Sequence, residues 1–174
     1  MGRIWNRTGV YVVAALIIFL DQWTKHLVRT SLALNASWSP AWLAPYARFL
    51  HINNTGAAFG MFKSAGLVFT VIAVIVSAVI VYYAWLLPDG HGLMRLALGL
   101  QLGGALGNLI DRLVLGTVTD FISVGAFAIF NVADASISVG VALLALLMLL
   151  EAQAVRRQSA PPPPPEPADA SEAS

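Results

Sequence analysis

Apolar positions in this chain gather into four long runs, 11–20, 67–87, 96–110 and 132–150, separated by polar segments. A helix needs about 20 residues to cross a bilayer. The run 67–87 meets that without a single charge. The first run is too short alone, so its helix must continue through Asp21 and Lys25 to about Val28. The predicted spans are about 10–28, 67–87, 94–111 and 131–150. Between the first two lies an extramembrane loop over 29–66, in which Arg48-Phe49-Leu50-His51-Ile52-Asn53 alternates partly, as a short strand does. Asn54-Thr55-Gly56 then supplies a turn, and Ala57 to Gly60 continues with small residues. Trp38, Trp42 and Tyr46 suit a segment at headgroup level. The expected fold is a membrane all-α protein of four transmembrane helices with a small extramembrane β element. The membrane domain covers 1–152. The segment 153–174, with prolines at 161–165, cannot bury a core and reads as a disordered tail.

Composition agrees. Hydrophobic residues make up 58% and charged residues 11%, against about 25% charged in soluble domains. A net charge of +1 gives no case for nucleic acid. Cysteine is absent, which removes disulfides and thiol nucleophiles. His26, His51 and His91 stand singly, so no metal or cofactor is expected. Neither a Gly-x-Ser-x-Gly nor a Ser-x-x-Lys nucleophile pattern occurs. No small-x-small cleavage site follows the first run, which therefore reads as a retained span. Lysine and arginine divide evenly between the two faces; those on short segments flanking the spans lean towards cytoplasmic termini. Four spans suffice for a compact monomer, and no dimer seam stands out.

The polar residues within this apolar pattern cluster. Consecutive spans alternate in direction, so Asp21, Asp111 and Asp134 fall on one side of the membrane, with Asp120 in the loop between the last two spans. Carboxylates near hydrocarbon are expensive and mark function. Lys25 follows Asp21 by one helical turn, the favourable order for an ion pair. Gly99, Gly103 and Gly107 recur every fourth residue, a spacing that brings membrane helices together. Gly104, Asn108 and Asp111 share a face of that helix. Asn131 suits the N-cap of the last span, with Asp134 in its first turn. Two carboxyls brought together in a low-dielectric site share a proton, the equipment of acid/base hydrolysis. Four acids allow six pairs, and spacing selects none. A small proton-coupled transporter would also use membrane carboxylates, although spans two and four offer little polar pathway.

Five blocks in order narrow the choice: Asp21-Gln22-Trp23-Thr24-Lys25, Asn54-Thr55-Gly56-Ala57-Ala58-Phe59, the stretch from Gly103 to Arg112, Val118-Thr119-Asp120-Phe121, and Asn131-Val132-Ala133-Asp134. Together, over about 4–150, they resemble bacterial lipoprotein signal peptidase (signal peptidase II). That resemblance implies an aspartic endopeptidase that removes signal peptides from diacylglyceryl-modified prolipoproteins, cleaving before the lipidated cysteine. It implies Asp120 and Asp134 as the catalytic dyad, with Asn54, Asn108 and Arg112 binding substrate or orienting the dyad. Asp21, Lys25, Asp111 and Asn131 match supporting positions. It implies prolipoproteins and membrane lipids as partners, both termini in the cytoplasm, and a site at the periplasmic face of the inner membrane. Extramembrane strands and a short helix cradle the substrate in that family, which fits the segments 48–60 and 113–124. Thirteen residues separate Asp120 from Asp134, so the lid over the site is expected to be short.

Overall fold

The computed structural model describes residues 2–56, 65–125 and 127–158, with backbone alone at 2–7, 65 and 158. The small-residue block 57–60, Lys63 and the prolines of the tail lie outside the described residues. Four helices follow the four apolar runs: α1 (Gly2–Ser31), α2 (Ala65–Leu86), α3 (Gly92–Leu115) and α4 (Val132–Gln158). Each is long and apolar enough to cross a membrane. The helices overrun the hydropathy because intrachain hydrogen bonding does not stop where lipid stops. Helix α4 continues through 153–158, where an irregular tail is expected. Its last turns hold the good helix formers Glu151, Ala152, Gln153 and Ala154, and Arg156 and Arg157 sit at the dipole's negative end.

Helix α3 sits in the middle and packs on the other three. Its glycines explain how. A Cβ on Gly103 would lie 2.6 Å from Ile17 Cβ and 2.9 Å from Ala14 O, and one on Gly99 would lie 2.7 Å from Val13 Cβ. Only bare backbone lets α1 approach this closely. One turn on, Gly107 leaves room for the Asp21 carboxylate, 2.7 Å from where its Cβ would stand. Gly104, on the neighbouring face, lies against Ala133 O of α4. Val10, Ala14, Ile80, Ala84, Leu98 and Leu102 form an apolar cluster joining α1, α2 and α3. The outward faces of α2 and α4 expose Leu67, Val68, Ile72, Ile75, Val139, Leu146 and Leu149. In lipid that exposure costs nothing.

Three short strands form the extramembrane element: β1 (Ser37–Trp38), β2 (Ala47–Asn54) and β3 (Val118–Val124), antiparallel in the order β1-β2-β3. The strand expected at 48–53 is β2. Between β1 and β2 the chain makes turns at 41–46 that leave Trp42 and Tyr46 exposed, as a headgroup-level segment requires. Strand β3 follows α3 directly, after Gly116 closes the helix by donating its N–H to Arg112 O. The β2–β3 ladder pairs Ile52 with Asp120 and Phe49 with Ile122, so its register slips beside Asp120.

Candidate active site

The C-terminal half of α1, the C-terminal end of α3, strand β3 and the N-terminus of α4 meet at one end of the bundle. Asp21, Asp111, Asp120 and Asp134 converge there. Asn131 joins two of them, Asp120 and Asp134. Its Nδ2 donates to Asp120 Oδ1 at 2.8 Å, and its backbone N–H donates to Asp134 Oδ2 at 3.1 Å. In return Asp134 N–H donates to Asn131 Oδ1 at 3.0 Å. This reciprocal pair is the capping-box geometry expected where an Asn precedes an acid by three residues at a helix start. The cap that begins α4 therefore also aims Asp134, and the same side chain reaches across to Asp120.

The second oxygen of Asp120 accepts from Asn54 Nδ2 at 2.8 Å. Asn54 is itself fixed, because its Oδ1 accepts the Gly56 N–H at 2.7 Å. That turn holds Gly56 at φ +76°, and a Cβ there would strike the Phe69 ring. Asn108, from α3, donates Nδ2 to Asp134 Oδ1 at 2.8 Å. Its Oδ1 accepts from Lys25 Nζ at 2.9 Å and from Asn131 Nδ2 at 3.1 Å. Asparagines thus hold both carboxylates by several oxygens. Burial pushes the Asp120 carboxyl up to about 6; the charge of Asp134 adds to this, while the Asn54 and Asn131 donors and Lys25 oppose it.

Asp21 and Asp111 do a different job. Lys25 Nζ lies 2.8 Å from Asp21 Oδ2 and 3.1 Å from Asp111 Oδ2, with all three side chains buried. Asp21 Oδ1 accepts the Ala133 N–H at 3.0 Å and so satisfies one free donor at the start of α4. Asp111 Oδ2 accepts the Thr119 N–H at 3.0 Å, one residue before Asp120. Lys25 therefore neutralises buried acids and tethers Asn108. Arg112 stands apart from these contacts: its guanidinium stacks over the Phe69 ring at 5.6 Å and feels the charges of Asp134 and Asp120.

Three participants have no role assigned from the sequence: Gln22 and Thr119, which stand inside the five blocks, and Arg29, which stands outside them. Gln22 Nε2 donates to Gly107 O at 3.0 Å and Asp111 Oδ1 at 3.1 Å. Arg29 Nη1 reaches Thr119 Oγ1 at 3.1 Å, and Thr119 is fully buried. Arg29 continues the four-residue spacing of Asp21 and Lys25, a signal that extends the stripe by one turn. Thr119 has no such spacing to mark it, only its place beside Asp120 in one of those blocks. Among the described residues, no group of three or more His, Cys, Asp or Glu is placed to hold a metal ion.

Four membrane-spanning helices, a three-stranded sheet and a carboxylate pair at one end define an integral membrane protein with its chemistry at the bundle's rim. Comparison with known proteins makes this specific. Residues 13–150 match the family described as Signal peptidase (SPase) II, and the chain belongs to that family. It is 49% identical over 149 residues to a lipoprotein signal peptidase of Mesorhizobium japonicum, covering 82% of this chain and 84% of the relative. A lipoprotein signal peptidase of Shouchella clausii is 44% identical over 135 residues, covering 76% and 87%. A solved bacterial membrane enzyme superposes with a TM-score of 0.73 at 31% identity, over 83% of this chain and 89% of that one. The transporter alternative finds no support among these relatives.

Proposed function

We propose that this protein removes signal peptides from prolipoproteins as an aspartic endopeptidase, with Asp120 and Asp134 as its dyad. Family membership supports the peptidase class. The observation favouring this pair over the other five is Asn131, one side chain and its own backbone reaching both carboxylates. Asp21 and Asp111 are instead engaged by Lys25.

Asp120 retains its proton to about pH 6 and acts as the acid; Asp134 acts as the base. Asp134 takes a proton from water as the water oxygen bonds to the scissile carbonyl carbon. Asp120 gives its proton to the carbonyl oxygen, forming a neutral tetrahedral diol. The diol then collapses: the C–N bond breaks, the leaving amine takes the proton held by Asp134, and Asp120 recovers its own. The products are a free amine on the new N-terminal residue and a carboxylic acid on the signal peptide.

The substrate class carries the lipid. A diacylglyceryl-cysteine already in the bilayer gains little from further chain burial, so selection rests on where anchoring places the cysteine relative to the dyad. Arg112, which makes no hydrogen bond to the dyad among the described residues, is a polar group available to the substrate. The site faces the periplasm, with both termini in the cytoplasm of the cell bounded by this inner membrane.

The test is cleavage of a synthetic diacylated prolipoprotein by purified protein in the presence of chelator. Cleavage before the modified cysteine is expected, with an unmodified peptide cut far more slowly. Equal rates on both peptides would refute lipid-dependent recognition, and cleavage of neither by folded protein would refute the peptidase reading.

A further inference from the structure

Asp120 sits on a strand whose backbone is bonded on the far side of Asp120 by Phe130, which exchanges hydrogen bonds with Ile122 and accepts from Phe121 N–H. Strand β3 is at the edge of the sheet and pairs with β2 alone among the three strands. The β2–β3 register slips between Phe49 and Ile52, opposite the stretch Asp120 to Ile122. The ladder is therefore irregular beside Asp120, and the backbone on its other side, at Thr119, is fixed by side chains instead. Side chains alternate along a strand, so Asp120 faces the dyad while Thr119 faces back towards α1 and α3. Thr119 is clamped there twice. Its N–H donates to Asp111 Oδ2 at 3.0 Å, and its Oγ1 accepts from Arg29 Nη1 at 3.1 Å.

Arg29 also closes a charge balance. Asp21 and Asp111 are two buried carboxylates, and Lys25 supplies one buried positive charge between them. Arg29 Nη1, 3.7 Å from Asp111 Oδ1, supplies the second. Without it, Asp111 would be both the acceptor for the Thr119 N–H and the bearer of an uncompensated charge. Buried ion networks tolerate this poorly.

We propose that Arg29 is a positioning residue for Asp120, acting through the Thr119 hydroxyl and the Asp111 carboxylate rather than on the substrate. The inference rests on the reading of Asp120 as a dyad member. Misplacing a reacting group by about 1 Å costs on the order of 100-fold, so loss of the clamp should lower turnover without weakening substrate binding.

The experiment measures kcat and KM per folded enzyme, with full-length purified protein and the diacylated prolipoprotein. Arg29→Met is expected to lower kcat about 10- to 100-fold with KM within about twofold, and Arg29→Lys to recover part of the loss. Thr119→Val keeps shape but removes the hydroxyl and leaves the ion cluster intact. It should lower kcat comparably, and Thr119→Ser should restore it. The double variant Arg29→Met/Thr119→Val should be no slower than the slower single variant, since Thr119→Val removes a contact that Arg29→Met has already broken. If Arg29→Met fails to fold, the Thr119→Val and Thr119→Ser pair decides alone. Full kcat in Thr119→Val, a loss confined to KM, or multiplicative effects in the double variant would each overturn the proposal. Asp120→Asn in the same assay separates the two readings. If Asp120→Asn is inactive and Arg29→Met turns over at the wild-type rate, only the positioning role fails. Activity in Asp120→Asn would instead remove the dyad reading beneath it.

Discussion

A carboxyl with an ordinary value of 3.8 holds its proton to about 6 at Asp120, because burial outweighs the two amide donors that favour its charge. On the proposed reading of Asp120 as the acid, its proton is lost as pH rises through that value, so the basic limb of kcat/KM for the free enzyme is predicted near pH 6. Asn54 lowers the Asp120 value by donating to the ionised form. Asn54→Ala should therefore shift the basic limb to higher pH, and pH–rate profiles of both proteins check the direction. A limb that moves to lower pH would contradict the assigned role of Asn54. At this scale the sequence was partly readable. Asn131 and Asp134 announce a helix cap by their spacing, and the capping pair is present. That Asn131 also reaches Asp120 is a contact across the fold, which local spacing does not encode.

The glycines of α3 determine how close the elements carrying these residues can come. Gly103→Leu would drive a side chain into Ile17 and the Ala14 carbonyl, backbone and branch points that cannot swing away. Overpacking of this kind costs about 1–3 kcal/mol, and it pushes α1, with Asp21 and Lys25, away from the site. A lowered thermal midpoint in detergent together with reduced cleavage is expected. Gly9→Ala is the control, since nothing lies within 4 Å of the added Cβ; it should leave both readings near wild type. The helices and the glycine stripe were legible because hydropathy and four-residue periodicity are local properties. Strand β2 was legible by alternation. Strand β3 was not, since Thr119, Asp120 and Ser123 break any strict alternation over Val118–Val124, and only the resemblance marks the segment. Helix α4 outran its predicted end because helix propensity, not hydropathy, governs residues 151–158.

Taken whole, the molecule divides the four aspartates at this end of the bundle into two pairs with different surroundings. Asp21 and Asp111, paired with Lys25 and Arg29, tie α1, α3 and α4 together; Asp120 and Asp134, held by asparagines, are the proposed reacting pair. Sequence spacing placed all four on one side of the membrane but could not choose among six pairs, because convergence is a property of the assembled bundle. The choice came from the resemblance, and the hydrogen bonds of Asn131 and Lys25 give it a physical reason. The most direct measurement is the single-turnover cleavage rate of a diacylated prolipoprotein by folded Asp120→Asn, Asp134→Asn and Asp111→Asn proteins. The account predicts a loss of several orders of magnitude for each of the first two, since neither proton transfer survives the change, and a smaller loss for Asp111→Asn. Substantial turnover by Asp120→Asn or Asp134→Asn, or complete inactivity confined to Asp111→Asn, would contradict it.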